Sequence, residues 1–283
     1  MTTRRDFLKS SGYMALGALF LPGLAKAATR PANLQDVGLQ LYSVRENMLA
    51  DATGTLKQLA KIGYKELESA MSEKGAYYGL EPKEIKKLTQ DLGMTLRSGH
   101  VHISDDWQRT VDNAAETGQE YLVCSSMPSK GQTIANYQHA AEVFNRAAED
   151  CKKAGLQFGY HNHDYEFEKD NGQVLYDVLI ENTDPDLVKM EMDIGWLVLS
   201  GYDPIVYFDK YPGRFPLWHL KDMSKAKKHS TEFGKGDIAI KKMLQNADKS
   251  KMKYYFVEQE EYSGAAMDAM KYDYNYLQKL SLK

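Results

Sequence analysis

Short apolar runs alternate with longer amphipathic stretches along most of the chain. The apolar runs have the length of strands, and several amphipathic stretches end at a glycine, as helices often do. The predicted strands span residues 36–44, 64–70, 94–103, 120–125, 156–161, 188–193, 215–221 and 253–259. The predicted helices span residues 52–63, 82–92, 105–117, 133–154, 174–181, 204–211, 236–250 and 266–280.

Eight strand–helix pairs in unbroken alternation indicate a parallel α/β architecture. Eight such units in one domain favour a closed (β/α)8 TIM barrel over an open doubly wound sheet. We therefore expect a single catalytic domain over residues 36–283. The sequence has no glycine-rich dinucleotide or Walker-type loop, so nucleotide binding has no support.

The N-terminus has a different pattern. Arg4, Arg5 and Lys9 precede an apolar segment over residues 12–24, and Ala25-Lys-Ala27 follows it. A charged region, an apolar region and a small-x-small site together predict a signal peptide over residues 1–27, here of the twin-arginine type. A linker over residues 28–35 would follow, and the mature protein would be exported, in a periplasmic location. An amphipathic first helix is the alternative.

Composition limits the partners. The chain of 283 residues has a formal net charge of −3, so counterion release gives it no affinity for nucleic acid. We expect no nucleic-acid partner and no membrane contact beyond export. The only cysteines, Cys124 and Cys151, could form one bridge, but two free buried thiols fit the pattern better.

Ionisable side chains collect at the carboxyl ends of the predicted strands. Since these ends meet at one face of a barrel, this face is the predicted active site. The histidines concerned are His100, His102, His161, His163 and His219, and the acids are Glu68, Glu166, Asp193 and Glu258. The residues expected to contact the substrate are Glu68, His100, His102 and Trp196.

The last three strands each end in a side chain that can bind a metal, namely Asp193, His219 and Glu258. A mixed carboxylate–imidazole set suits one divalent ion such as Mn, Mg, Co or Zn. A metal-free cluster held by hydrogen bonds is the alternative. For His161 and His163, either one binds the metal and the other the substrate, or both only line the pocket.

Four neighbouring residues allow further interpretation. Lys221 shares a strand face with His219 and could neutralise an oxyanion or form a plain salt bridge. Trp196 either forms an apolar wall for a sugar ring or packs between helices. Glu191 and Asp222 are expected to face the helices or the rim.

Several segments resemble the xylose isomerase-like superfamily of sugar isomerases and epimerases. They are residues 63–68, 159–167, 192–196, 218–222 and 257–258, within a resemblance that covers nearly the whole predicted mature chain. The resemblance implies a TIM barrel in which Glu, Asp, His and Glu from strands five to eight hold one divalent ion. Asp193, His219 and Glu258 match the last three ligands by position.

Strand five departs from that pattern. The epimerases of the superfamily carry a glutamate there that is both ligand and proton-transfer group, whereas residues 160–163 read Tyr-His-Asn-His and the next acid is Glu166. His161 is therefore taken as the fourth ligand. Such histidine-rich versions are similar to inosose dehydratase-like members and to relatives acting on 3-keto sugars. DNA-repair endonucleases share the fold, but their larger zinc set and basic groove are not evident in this sequence.

These features together predict a divalent-metal-dependent sugar isomerase or epimerase. It would remove a proton next to a carbonyl of a small sugar or cyclitol and form an enediolate. Glu258 is the first choice for the base, Glu166 or His163 the second, and Lys221 would assist. One alternative is a metal-dependent dehydratase or lyase on a keto sugar or inosose, including 3-keto-glycosides. The other is an exported sugar-binding protein without catalysis. The sequence leaves a homo-oligomeric assembly open.

Overall fold

Eight parallel strands close into a barrel in the computed structural model, which describes residues 34–282. Each strand pairs in parallel with its two neighbours, and the last strand closes on the first. The barrel strands are β1 Gly38–Gln40, β2 Glu66–Ala70, β3 Thr95–Val101, β4 Tyr121–Cys124, β5 Gln157–His161, β6 Val188–Asp193, β7 Leu217–Leu220 and β8 Tyr254–Val257. The predicted (β/α)8 TIM barrel is confirmed.

Ten helices of the described residues surround this barrel. They are α1 Arg45–Ile62, α2 Pro82–Asp91, α3 Trp107–Thr117, α4 Ile134–Lys153, α5 Leu175–Asn182, α6 Ile194–Leu199, α7 Pro204–Lys210, α8 Ile240–Gln245, α9 Ala247–Ser250 and α10 Ala266–Lys279. Two 3-10 turns, Leu41–Val44 and Tyr165–Phe167, follow β1 and β5. The carboxyl ends of the strands therefore run directly into short loops and turns that frame one face of the barrel.

Strand alternation separates two layers of packing. On β7, Trp218 points outward and stacks on Phe208 of α7, with ring centroids 4.9 Å apart. Leu217 points inward and belongs to a small cluster with Phe256 and Val123 inside the barrel. Burial of each such side chain contributes about 1.5–3 kcal/mol. The inner cluster fills the amino-terminal half of the barrel, and the polar residues lie nearer its carboxyl end.

Two helices differ from the predictions for reasons visible in their caps. α1 begins at Arg45 rather than at residue 52, but it is interrupted at Asp51, whose side chain accepts a hydrogen bond from Gly54 N at 2.8 Å. Asp51 thus acts as an N-cap where the sequence predicted a helix start. The short helix α6 is not predicted, because its six residues directly follow a strand and are almost entirely apolar.

The segment after β7 forms a hairpin, Asp222–Ser224 with His229–Thr231, that ends near the predicted helix 236–250. Asp222 is buried and accepts hydrogen bonds from the backbone N–H groups of Gly234, Gly236 and Ile238 at 2.8, 3.1 and 3.1 Å. Asp222 was expected to face the helices or the rim, and its carboxylate binds the backbone of the loop that precedes α8. Its carboxylate holds this loop in a non-helical path, and α8 begins only at Ile240.

The predicted export signal over residues 1–27 lies outside the described residues and stays a prediction. Most of the predicted linker over residues 28–35 also lies outside the described residues. Within residues 34–282, no helix combines the length and apolar character needed to cross a bilayer. Cys124 and Cys151 are free and buried, as the sequence favoured.

Candidate metal and active site

Four side chains from the second half of the barrel converge at its carboxyl end. His161, Asp193, His219 and Glu258 each offer one ligand atom, and these atoms all lie within 4.8 Å of one another. All four residues are buried. Parallel strands place these groups together because Asp193 pairs with His219, and Phe256, two residues before Glu258, pairs with the same histidine.

The two carboxylate oxygens of Asp193 have different surroundings. Its Oδ1 caps α6 by accepting a hydrogen bond from Trp196 N at 2.9 Å. This cap fixes the side chain and leaves Oδ2 facing the barrel mouth, 3.5 Å from Nε2 of His161. The local sequence from Asp193 to Trp196 therefore presents one carboxylate oxygen to the site.

His219 lies between two carboxylates. Its Nδ1 is 2.7 Å from Glu258 Oε2, and its Nε2 is 2.6 Å from Glu68 Oε1. The same Glu68 oxygen also accepts a hydrogen bond from Gln40 Nε2 at 2.7 Å. Burial lowers the pKa of His219, but Glu258 and Glu191 outweigh burial and raise this pKa well above its ordinary value. Glu68 thus accepts the Nε2 proton, and Nδ1 is the nitrogen directed at the mouth.

A second histidine–glutamate pair lies beside the first. His100 Nε2 is 2.6 Å from Glu191 Oε2, and the rings of His100 and His219 stack with centroids 4.9 Å apart. Burial raises the pKa of Glu191 to about 7 and lowers the pKa of His100 to about 4. Two histidine–glutamate pairs thus lie side by side, and His100 also reaches the cavity.

Glu191 corrects a prediction. It was expected to face the helices or the rim, yet its side chain lies inside the barrel, 3.3 Å from His219 Nε2. The physical reason is strand alternation, since Glu191 is two residues before Asp193 and must share its face. The same spacing in the sequence was sufficient to find it.

Lys221 is the buried cation of the site. Its Nζ lies 3.0 Å from Asp193 Oδ2, 2.9 Å from Glu258 Oε2 and 2.6 Å from Glu260 Oε1. Burial lowers the pKa of Lys221, but Asp193 and Glu258 outweigh burial and raise it well above its ordinary value. Burial raises the pKa of Glu258, but the Lys221 ammonium and His219 outweigh burial and hold this pKa well below its usual range.

The residues present fit a divalent ion. Both ring nitrogens of the buried His161 lack a hydrogen-bond partner among residues 34–282. Burial lowers the pKa of His161 well below its ordinary value, so the ring is neutral and able to donate a lone pair. Buried polar atoms without partners are costly, and a metal bound here would satisfy them.

A second group, His100, His161, Glu191 and His219, also has ligand atoms close together. It is less suited to an ion, because the Nε2 proton of His219 is already donated to Glu68 and His100 is bound to Glu191. The group at the mouth is therefore the better candidate for holding an ion, and Glu68 and Glu191 would support it. In metal sites, such carboxylate partners fix the tautomer of a ligating histidine.

A cavity of about 210 Å³ opens beside these ligands. Tyr42, Met71 and Trp196 give it apolar surface. Its polar lining consists of His100, His102, Ser125, His161, His163, Glu258 and Glu260. One apolar wall facing several hydrogen-bonding groups is suited to a sugar-sized ligand.

The predicted substrate residues divide into two groups. His100, His102 and Trp196 line the cavity, and His102 Nδ1 lies 2.7 Å from Ser126 Oγ. Glu68 does not line the cavity; its side chain is fully buried and also accepts a hydrogen bond from Ser98. Glu68 sits two residues before Ala70, which does reach the cavity, so it supports His219 instead of touching a ligand.

Among the predicted catalytic residues, Glu166 is placed away from the cavity. It is fully buried, and its two oxygens accept hydrogen bonds from Tyr160 OH at 2.5 Å and His163 N at 2.8 Å. Those contacts tie the turn after β5 to the strand and suit a structural role, and the predicted catalytic role stays a prediction. His163 does line the cavity, with 31% of its side chain exposed.

Glu260 is a site residue that the sequence-based predictions do not include. It lines the cavity and contacts Lys221, with 28% of its side chain exposed. The signal available was its spacing of two residues from Glu258, but it lies beyond the end of β8 at Val257, where alternation is no longer assured.

Comparisons with known proteins agree with this geometry. A sequence profile described as xylose isomerase-like TIM barrel matches residues 56–280. The crystal structure of a sugar phosphate isomerase/epimerase from Parabacteroides distasonis is 29% identical and superposes with a TM-score of 0.78 over 87% of this chain and 94% of that chain.

Two curated relatives are similar over part of their length. An inosose dehydratase from Geobacillus kaustophilus is 23% identical over 194 residues, 59% of this chain and 61% of the relative. An inosose dehydratase from Lacticaseibacillus casei is 33% identical over 91 residues, 32% of this chain and 30% of the relative. The chain thus spans less than two thirds of these relatives, whereas the profile covers most of the barrel. The protein belongs to the xylose isomerase-like TIM barrel family.

Proposed function

We propose that the protein is a divalent-metal-dependent enzyme that removes a proton next to a carbonyl group of a small sugar or cyclitol and returns it, as an isomerase or epimerase. The observation that carries this proposal is the convergence of His161, Asp193, His219 and Glu258 beside a cavity of sugar size. An ion held by these residues would supply Lewis acidity to the carbonyl and a neighbouring hydroxyl oxygen. A glutamate at the cavity wall is then positioned for proton transfer.

Glu258 is the proposed base. It is the ligand-group carboxylate that lines the cavity, and the cationic groups around it hold its pKa well below the usual range. The proton leaves carbon for the Glu258 carboxylate while the electron pair moves toward the carbonyl oxygen, which gives an enediolate. Trp196 and Tyr42 would cover the apolar face of the ring, and His102 and His163 would bind its hydroxyl groups.

Elimination is the second candidate, and strand five favours it. His161 stands where the epimerases of the family carry a proton-transferring glutamate, so the site offers fewer carboxylates on that wall. The named relatives include inosose dehydratases, which points in the same direction. In this case the enediolate would expel a β-hydroxyl, and the proton held by Glu258 would leave with it as water.

Isotope exchange tests the proposal directly. The purified protein, loaded with Mg²⁺, Mn²⁺, Co²⁺ or Zn²⁺, is incubated in D2O with inosose, a panel of ketoses and 3-keto-glycosides. NMR then measures deuterium in the recovered sugar, and mass spectrometry measures loss of water. We expect protein-dependent exchange that falls by about 10²–10⁴-fold in Glu258→Gln. Binding without exchange or turnover across the panel would leave a sugar-binding protein as the better account.

A further inference from the structure

The ammonium of Lys221 lies against the same oxygen atoms that a metal ion would use. Its Nζ is 3.0 Å from Asp193 Oδ2 and 2.9 Å from Glu258 Oε2, and both residues belong to the ligand group. Its third partner, Glu260 Oε1 at 2.6 Å, is not part of that group. One cation of the chain and one proposed ion therefore share two carboxylates.

The surroundings are shaped for the lysine. A Cβ atom at Gly195 would lie 3.0 and 3.1 Å from Cβ and Cγ of Lys221 and 2.7 Å from Cγ of Met223. The separation from Met223 is too short for a real contact and those from Lys221 are tighter than most, so the glycine leaves room for both side chains. The ring of Trp196 lies 5.0 Å from Nζ, within the range of a cation–π contact.

We propose that Lys221 is a resident cation of the metal site, which holds Asp193 and Glu258 when no ion is bound and passes to Glu260 when an ion binds. This inference rests on the metal-dependent function proposed above. Lys221 is then a positioning residue that sets metal affinity, and Glu260 is its ion-pair partner when an ion is bound.

Charge and burial support this exchange. Three carboxylates brought together in a buried site repel one another, and the Lys221 ammonium offsets that repulsion in the absence of an ion. A divalent ion at Asp193 and Glu258 would in turn repel an ammonium only a few ångströms away. Glu260 can retain it, because its backbone N donates to Ser230 Oγ at 2.7 Å and its carbonyl accepts from Arg45 at 3.3 Å.

Metal affinity is the first test. Isothermal titration of the full protein with Mg²⁺ and with Zn²⁺ compares wild type, Lys221→Met and the control Lys235→Met. Lys235 also forms an ion pair and a cation–π contact, with Glu232 and Tyr272, but away from the site. We expect Lys221→Met to bind at least about tenfold more tightly, since a repelling charge is removed. Equal or weaker binding by folded Lys221→Met, as judged by circular dichroism, would overturn the proposal.

A double-mutant cycle tests the role of Glu260. Glu260→Gln should weaken ion binding in the wild-type background, because the ammonium then remains on Asp193 and Glu258. The same change should have little effect in the Lys221→Met background. An equal loss in both backgrounds would show that Glu260 acts on the ion directly, which contradicts the transfer.

Tryptophan fluorescence keeps the inference testable if the lysine variants do not fold. Saturating wild type with Mg²⁺ should change the emission as the ammonium leaves the Trp196 ring, and Trp196→Phe should lose that change. Ion binding with unaltered emission would refute the displacement. If wild type binds no ion at all, the metal-dependent function fails; if it binds an ion but the Lys221→Met affinity does not rise, only this inference fails.

Discussion

Glu68 accepts the Nε2 proton of His219 across 2.6 Å, although the two residues are 151 positions apart in the chain. This contact decides which nitrogen of His219 faces the mouth of the barrel. With Nε2 donating to Glu68, Nδ1 is the nitrogen directed toward Asp193 and Glu258, and it would offer its lone pair to a bound ion. A ligating histidine held in this way by a carboxylate is a recurrent feature of metal sites.

Glu68→Gln should therefore weaken metal binding although Glu68 does not touch the ion. We expect a loss of about 10–100-fold in affinity, as is usual when such a supporting carboxylate is removed. Titration calorimetry with Zn²⁺ measures it. The matched control is Glu66→Gln on the same strand, where Glu66 instead pairs with Arg97 at 2.6 Å. An equal loss in both variants would indicate a general effect of the strand rather than of the tautomer.

Removal of a proposed ligand should remove the ion. Asp193→Ala or His219→Ala is expected to contain no stoichiometric divalent ion by elemental analysis, because each deletes one ligand atom of a four-residue set. His139→Ala, at an exposed position on α4, serves as the control and should keep the ion. Wild-type metal content in either ligand variant would refute the site.

Glu258 and Glu166 should differ sharply in activity. Glu258→Gln removes the proposed base and should reduce turnover by about 10²–10⁴-fold. Glu166→Gln keeps the shape of a buried side chain that accepts hydrogen bonds from Tyr160 OH and His163 N. It should therefore lower thermal stability more than turnover per folded molecule. Steady-state kinetics and thermal unfolding measured on the same samples separate the two effects. A collapse of turnover in a fully folded Glu166→Gln would contradict its structural role.

Asp273 of α10 should make stability fall with rising pH. Burial raises the pKa of Asp273 from 3.8 to about 8, while Phe233 N donates to it at 2.8 Å. The folded state thus binds the proton more tightly than the unfolded chain. The resulting stability is fully present below the unfolded pKa and is lost as pH rises through about 8.

Asp273→Asn cannot ionise, so its Tm relative to wild type should rise between about pH 5 and about pH 9. Asp268→Asn, exposed near the start of the same helix, should show a constant difference over that range. A parallel pH course for wild type and Asp273→Asn would show that Asp273 does not titrate as expected.

The barrel could be predicted from the sequence because each strand is an apolar run and each helix an amphipathic one, with caps that are visible locally. Gly63 and Gly118, for example, end helices with a positive φ that only glycine adopts readily. The path from Asp222 to Ile238 could not be predicted in this way. It depends on a carboxylate that binds backbone groups many residues further along the chain.

The candidate site was predicted in outline for a similar reason. Asp193, His219 and Glu258 end successive strands, and parallel pairing alone brings them together. The support around them was not foreseen, since the Glu68–His219 and His100–Glu191 contacts cross the interior of the barrel between strands that are not neighbours. Contacts of that kind depend on the closed geometry and have no local pattern.

One divalent ion is expected at the carboxyl-end mouth of the barrel. Anomalous diffraction from crystals soaked in Mn²⁺ locates such an ion. We expect one peak per chain where the ligand atoms of His161, Asp193, His219 and Glu258 converge. A fully soaked crystal with no peak there, or with its peak between His100 and Glu191, would contradict the proposed site.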